Sequence, residues 1–137
     1  MGEQRVDAFF YGLFMDVDLL RAKGAAPATV QPAAAPGYAL RIGNRATLVA
    51  DAASVAHGML MQLSHEDIDK LYSEPSVSMY RPEAILVLTS DGTWTPALTY
   101  NLTAEPAPEE RNADYARKLR ELAQRLRLPA EYIATIR

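Results

Sequence analysis

The chain has 137 residues, 49% of them hydrophobic and 23% charged, which fits one core and one domain spanning residues 1–137. Its net charge of -3, from 14 Lys and Arg against 17 Asp and Glu, gives no electrostatic footprint for nucleic acid or for an anionic membrane surface. No cysteine occurs, which excludes disulfides, thiolate nucleophiles and zinc sites built on sulfur.

Residues 6–11 are β-branched and aromatic, run into Gly12, and predict a buried first strand ending in a turn. The apolar stretch 8–15 is too short to cross a bilayer, and Asp7 and Asp16 bracket it, so neither a membrane span nor a signal peptide is expected. A cytoplasmic location is the default. A short helix over 16–21, capped by Asp16 or Asp18 and stopped by Gly24, comes next. The Ala- and Pro-rich tract 25–36 is compatible with a linker and equally with an edge strand at Thr29, Val30 and Gln31. Pro36-Gly37 predicts a turn, residues 38–42 a strand, Gly43-Asn44-Arg45 a hairpin turn, and 46–49 its partner.

Residues 55–63 alternate as another strand, where Gly58 marks a bulge or a close backbone approach. Ser64 and Asp67 have the form of a capping box, followed by Ile68, Leu71 and Tyr72 on one helical face. That helix cannot pass Pro75, which pushes Glu74 out of the helical region. Residues 83–88 and 94–102 read as a hairpin around a turn at 90–93, and 105–110 as a polar connector. Asn112 caps a long helix with Tyr115, Leu119, Leu122 and Leu126 as its apolar stripe, and Pro129 opens a final short helix carrying Tyr132, Ile133 and Ile136. Neighbouring strands with hairpin connections and late helices predict an α+β fold with a small, mixed, largely antiparallel sheet closed into a barrel.

Four segments, taken in order, resemble the gamma-glutamylcyclotransferase-like family. They are Phe9-Phe10-Tyr11-Gly12-Leu13-Phe14-Met15, the glycine-containing strand His57-Gly58-Met59-Leu60-Met61-Gln62-Leu63, the pair Leu71-Tyr72-Ser73-Glu74 and Tyr80-Arg81-Pro82-Glu83-Ala84, and the ending from Asn112 through Leu128-Pro129 to Tyr132. Each alone is weak, but together they span almost the whole chain. The resemblance implies a small mixed barrel and release of 5-oxoproline from a gamma-glutamyl amine, amino acid or peptide. It also implies that Glu74 is the catalytic residue and that Tyr11, Gly12, Leu13 and Phe14 cradle the glutamyl group. Where the family usually has Ser or Thr after Tyr-Gly, this chain has Leu13, which removes a side-chain hydrogen bond and leaves the backbone N–H groups.

The chemistry suits these residues. The substrate's α-amine attacks its own γ-carbonyl, and a well-oriented internal attack reaches effective molarities of roughly 10⁵ M or more. No protein nucleophile, metal or cofactor is then needed, only a base, oxyanion donors and an acid. One carboxylate serves as base and then acid, although a free Glu near about 4.3 and an amine near about 8 are poorly matched unless burial destabilises the charged carboxylate. Leu71, Tyr72, Val77, Met79 and Tyr80 surround Glu74 in sequence and are expected to supply that burial.

Without the resemblance, Glu74 reads as a solvated carboxylate at a helix end, and Glu83 as an exposed charge at a strand end. Phe10 reads as core. Tyr80 and Tyr100, near strand ends, either aim hydroxyls into a pocket or pack with their hydroxyls in water. His57 and His65 belong to no ligand-spaced cluster. Leu13 also leaves a second reading open, a binding module that keeps the fold without the chemistry. The expected partner is a small gamma-glutamyl compound, with no nucleic acid and no membrane; monomer and homodimer are both compatible with the sequence.

Overall fold

The computed structural model describes residues 4–137; the first three residues of the expected 1–137 domain lie outside them. The strands are β1 (Arg5–Phe10), β2 (Val30–Ile42), β3 (Ala46–Ser64), β4 (Arg81–Thr89) and β5 (Trp94–Asn101). In the order β1-β3-β2-β4-β5 they close into a barrel, antiparallel at every junction except the parallel one between β1 and β5. The expected α+β, largely antiparallel barrel is therefore what the chain forms. The run Met59, Leu60, Met61, Leu63 on β3 is buried without alternation, because the barrel interior takes one face and helices cover the other.

Two expectations about this sheet need correction. Neither a linker over 25–36 nor a chain reversal at Pro36-Gly37 is present: β2 runs unbroken from Val30 to Ile42, with Pro32 and Pro36 inside it. Its second edge is paired only at Ala33 and Ala34, against Thr89 and Leu88, so the missing proline donors cost the sheet little. Gly37, at φ +88, instead makes a bulge. Likewise residues 46–49 and 55–63 are one strand, β3, because residues 51–54 loop out opposite Gly37 and close on themselves through Asp51, which accepts from Ala53 N–H (3.1 Å) and Ser54 Oγ (2.7 Å).

The helices start and stop where local chemistry dictates. Asp16, not Asp18, caps α1 (Val17–Ala22), accepting from Asp18 N–H. Its end is a Schellman arrangement: Gly24 N–H donates to Arg21 O and Ala25 N–H to Leu20 O, with Gly24 at φ +88 and Lys23 as the C-cap. Ser64 caps α2 (His65–Tyr72) by accepting from Asp67 N–H at 3.1 Å. Asp67 does not complete the box; its Oδ2 accepts from Ala26 N–H at 2.9 Å and ties the tract after α1 to this helix. Asn112 caps α3 (Ala113–Arg125), whose Leu119 and Leu122 are buried, and α4 (Ala130–Ile133) follows Pro129. Among the described residues no helix is long and apolar enough to cross a membrane.

Barrel closure rests on side chains as much as on backbone. The pairing of β1 with β5 is a single parallel bridge, Ala8 with Leu98. Thr99 Oγ1 donates to Phe9 O at 2.9 Å and Tyr11 Oη donates to Tyr100 O at 2.6 Å, extending the seam to the end of β1. Asn101 Oδ1 accepts from Leu48 N–H and Thr47 Oγ1 accepts from Leu102 N–H, fixing the start of β3 to the end of β5. All three small polar side chains are buried and partnered.

On the other flank of β1, a Cβ at Gly58 would lie 2.2 Å from the Phe10 carbonyl oxygen and 2.9 Å from Phe9 Cζ. Of the two roles expected for Gly58, close approach is the one observed. Gly58→Ala is predicted to lower the unfolding free energy by about 2–3 kcal/mol, because backbone must shift to admit the methyl. The denaturant midpoint checks this, and an unchanged midpoint contradicts it.

Candidate active site

Where β1 leaves the barrel, the chain makes a 3-10 turn (Leu13–Met15) before α1, with Met15 N–H on Gly12 O. This turn walls one side of a cavity of about 320 Å³, a size suited to a small ligand. Its lining joins Tyr11, Gly12, Leu13 and Phe14 to Lys23 at the end of α1, Tyr72 at the end of α2 and Asn44 and Arg45 of the β2–β3 turn. Ser76, Val77 and Tyr80 ahead of β4, Tyr100 near the end of β5 and Tyr115 on the first turn of α3 complete it.

The wall is largely aromatic and rigid. Tyr72 and Tyr100 stack at 3.8 Å with planes 16° apart, and Phe14 meets the edge of Tyr72 at 5.6 Å and of Phe10 at 6.0 Å. Tyr80 Oη donates to Ala46 O, pinning the segment before β4 to the start of β3. Arg45 Nε donates to Ser76 O at 3.1 Å across the mouth.

The Tyr115 hydroxyl, reaching in from α3, lies against this turn. It explains Gly12, because a Cβ there would come within 2.6 Å of it. Gly12 has φ -110, so the residue answers to space and not to backbone conformation. Leu13 itself puts an apolar side chain into the lining.

Glu74 sits just past α2, in a turn closed by Val77 N–H on Glu74 O at 3.1 Å. Its Oε1 accepts from Lys23 Nζ at 2.6 Å, with the two side chains 39% and 24% exposed. The apolar burial expected from Leu71, Tyr72, Val77, Met79 and Tyr80 is therefore replaced by an ion pair at the cavity edge. Lys23 lines the cavity; Glu74, expected there as the catalytic residue, is not among the lining residues and is joined to them through Lys23.

Sequence reasoning singled out Tyr11, Gly12, Leu13, Phe14, Tyr80 and Tyr100, and the fold brings all six to this cavity. Phe10 is buried, as expected for core, and also touches the cavity. Glu83 is exposed on β4, His65 is exposed at the start of α2, and His57 packs against Tyr132 at 5.0 Å. Lys23, Tyr72 and Tyr115 were missed. Tyr115 carried a usable signal, since it is the single residue with a hydroxyl on an otherwise aliphatic stripe; Lys23 had no local signal.

The tyrosines are held neutral. Burial, then the neighbouring Tyr80 and Tyr72, raises Tyr11 well above the ordinary phenol value. Burial pushes Tyr72 and Tyr115 upward as well, and takes Tyr80 from 10.0 to about 12 against an opposing pull from Arg45. A raised folded-state value means that the folded chain holds protons the unfolded chain releases. The stability this contributes is complete below pH 10.0 and is lost as pH rises through about 12. The melting temperature is predicted to fall across that window, with phenolate absorbance appearing as the protein unfolds; full phenolate formation near pH 10 in a still-folded protein contradicts this.

Residues 8–119 match the family described as "Gamma-glutamyl cyclotransferase, AIG2-like". A solved structure named "Gamma-glutamyl cyclotransferase" superposes with a TM-score of 0.76 at 20% identity, covering 98% of this chain and 89% of its own. A yeast gamma-glutamyl cyclotransferase described as specific to glutathione gives 0.67 at 12% identity, covering 98% and 94%. An AIG2-like protein from Mus musculus gives 0.56 at 14% identity, covering 81% and 90%. Among curated protein sequences none matches this chain. At such identities the superpositions speak for the fold, while the match over residues 8–119 speaks for descent: the chain belongs to the gamma-glutamyl cyclotransferase, AIG2-like family.

Proposed function

We propose that this protein is a cofactor-independent gamma-glutamylcyclotransferase, converting a gamma-glutamyl amine, amino acid or peptide to 5-oxoproline and the free amine. The observation that carries the reading is the meeting of two features far apart in sequence. Lys23, bonded at 2.6 Å to Glu74, lines the same cavity as Tyr11, Gly12, Leu13 and Phe14. A loop of backbone donors and a lysine that holds a carboxylate behind it thus meet at one small, aromatic-walled space.

The chemistry follows from that arrangement. The aromatic wall folds the glutamyl chain back so that its amine faces its γ-carbonyl, and this orientation supplies much of the acceleration. Glu74 takes the ammonium proton, the amine nitrogen bonds to the γ-carbon, and N–H groups of the turn after β1 steady the oxyanion. The carbonyl then reforms as the C–N bond to the leaving group breaks and the protonated Glu74 gives its proton to the departing nitrogen; the second proton of the new ring nitrogen passes by way of Glu74 to the freed amine, which leaves as an ammonium ion. Glu74→Gln retains an acceptor for Lys23 but cannot carry a proton. It is predicted to cut 5-oxoproline release at least about 100-fold across a panel that includes glutathione and simple gamma-glutamyl amides, with an unchanged circular dichroism spectrum. A variant as fast as wild type rules Glu74 out, and a wild type inactive on the whole panel rules out the activity.

A further inference from the structure

The ammonium of Lys23 sits on Glu74 where the ammonium of a gamma-glutamyl substrate has to bind. Two ammonium groups on that carboxylate repel each other, so substrate entry favours displacement of Lys23 from Oε1. A displaced ammonium at the edge of an aromatic cavity needs a new counter-ion. The substrate brings one, since its α-carboxylate is on the same carbon as its amine. We infer that Lys23 is a specificity-determining residue: on binding it exchanges Glu74 for the substrate's α-carboxylate, so that the pair Glu74 and Lys23 reads the zwitterionic head of an α-amino acid. This rests on the activity proposed above, and adds to it a preference for substrates with a free α-carboxylate.

Two features favour the exchange. The Lys23 backbone is fixed as the C-cap of α1 by the Gly24 and Ala25 hydrogen bonds, while its four-carbon stem leaves the ammonium free to swing through the short distance between neighbouring groups. The other cation of the lining, Arg45, already gives its Nε to Ser76 O at the mouth. The exchange keeps charge balanced throughout, with two anions and two cations in the loaded site.

The test compares two ligands that differ only in the carboxylate. Wild type, Lys23→Met and Lys23→Arg are assayed on a gamma-glutamyl amide and on the 4-aminobutyryl amide with the same leaving group, which cyclises to 2-pyrrolidinone. Binding of 5-oxoproline and of 2-pyrrolidinone is measured in parallel by calorimetry. Lys23→Met should lower kcat/KM for the gamma-glutamyl amide by about 10- to 100-fold, mainly through KM, and weaken 5-oxoproline binding to match. It should change the values for the carboxylate-free ligands less than about threefold, and Lys23→Arg should restore most of the loss. Equal losses on both ligand types, or none, overturn the inference by reducing Lys23 to a support for Glu74, and so does a wild type that fails to prefer 5-oxoproline to 2-pyrrolidinone. Absent turnover with intact, Lys23-dependent 5-oxoproline binding removes the proposed activity and leaves the inference standing.

Discussion

A five-strand barrel in which β1 and β5 share a single parallel bridge cannot rely on ladder hydrogen bonds to close, and this chain closes it with side chains placed on both strands. Thr99 and Tyr11 carry the seam past Leu98 to the last residues of β1, while Gly58 lets the Phe10 carbonyl press against β3 from the other side. The exit of β1 is thereby clamped on both flanks. Everything that lines the cavity is built outward from that exit, so the direction in which residues 11–14 leave the barrel is set by the closure itself.

Tyrosines link the closure to the cavity. Tyr11 closes the seam and lines the cavity with the same side chain, and Tyr80 ties the segment after Glu74 to the start of β3. Tyr115 reaches from α3 to Gly12 in the turn after β1. Each of these hydroxyls is neutral because burial penalises the phenolate, so each can donate or accept a hydrogen bond without adding charge. The charges at the edge are few and matched, Lys23 with Glu74, with Arg45 at the mouth. A site with neutral aromatic walls and one ion pair at its edge suits a reaction whose main demand is that a flexible zwitterionic chain be folded and held.

What could be read from the sequence was what local chemistry decides. Gly24 ended α1, Ser64 and Asn112 capped their helices, and Pro75 kept α2 short, each through bonds made within a few residues. The turn after β1 and Glu74 were legible through the resemblance and not through spacing. The reach of β2 and β3 was not, because proline and alanine argue against a strand until a partner with the complementary register is known, and Gly37 looks like a reversal until the loop at 51–54 shows it to be a bulge. Lys23 and Glu74 are 51 residues apart and Tyr11 and Tyr100 are 89 apart, so nothing near either member advertises the other. Glu74 was expected to be buried among apolar neighbours in sequence; it is instead ion-paired to a lysine from another helix end.

The central claim is that the Lys23–Glu74 pair and the turn after β1 are two sides of one ligand site. Backbone amide shifts recorded while isotope-labelled protein is titrated with 5-oxoproline test it most directly. The account predicts that Gly12, Leu13, Lys23 and Glu74 shift together and saturate with a single dissociation constant. Shifts confined to one of the two features, different constants for each, or a response centred on the far face around exposed Leu86 and Trp94 would contradict it.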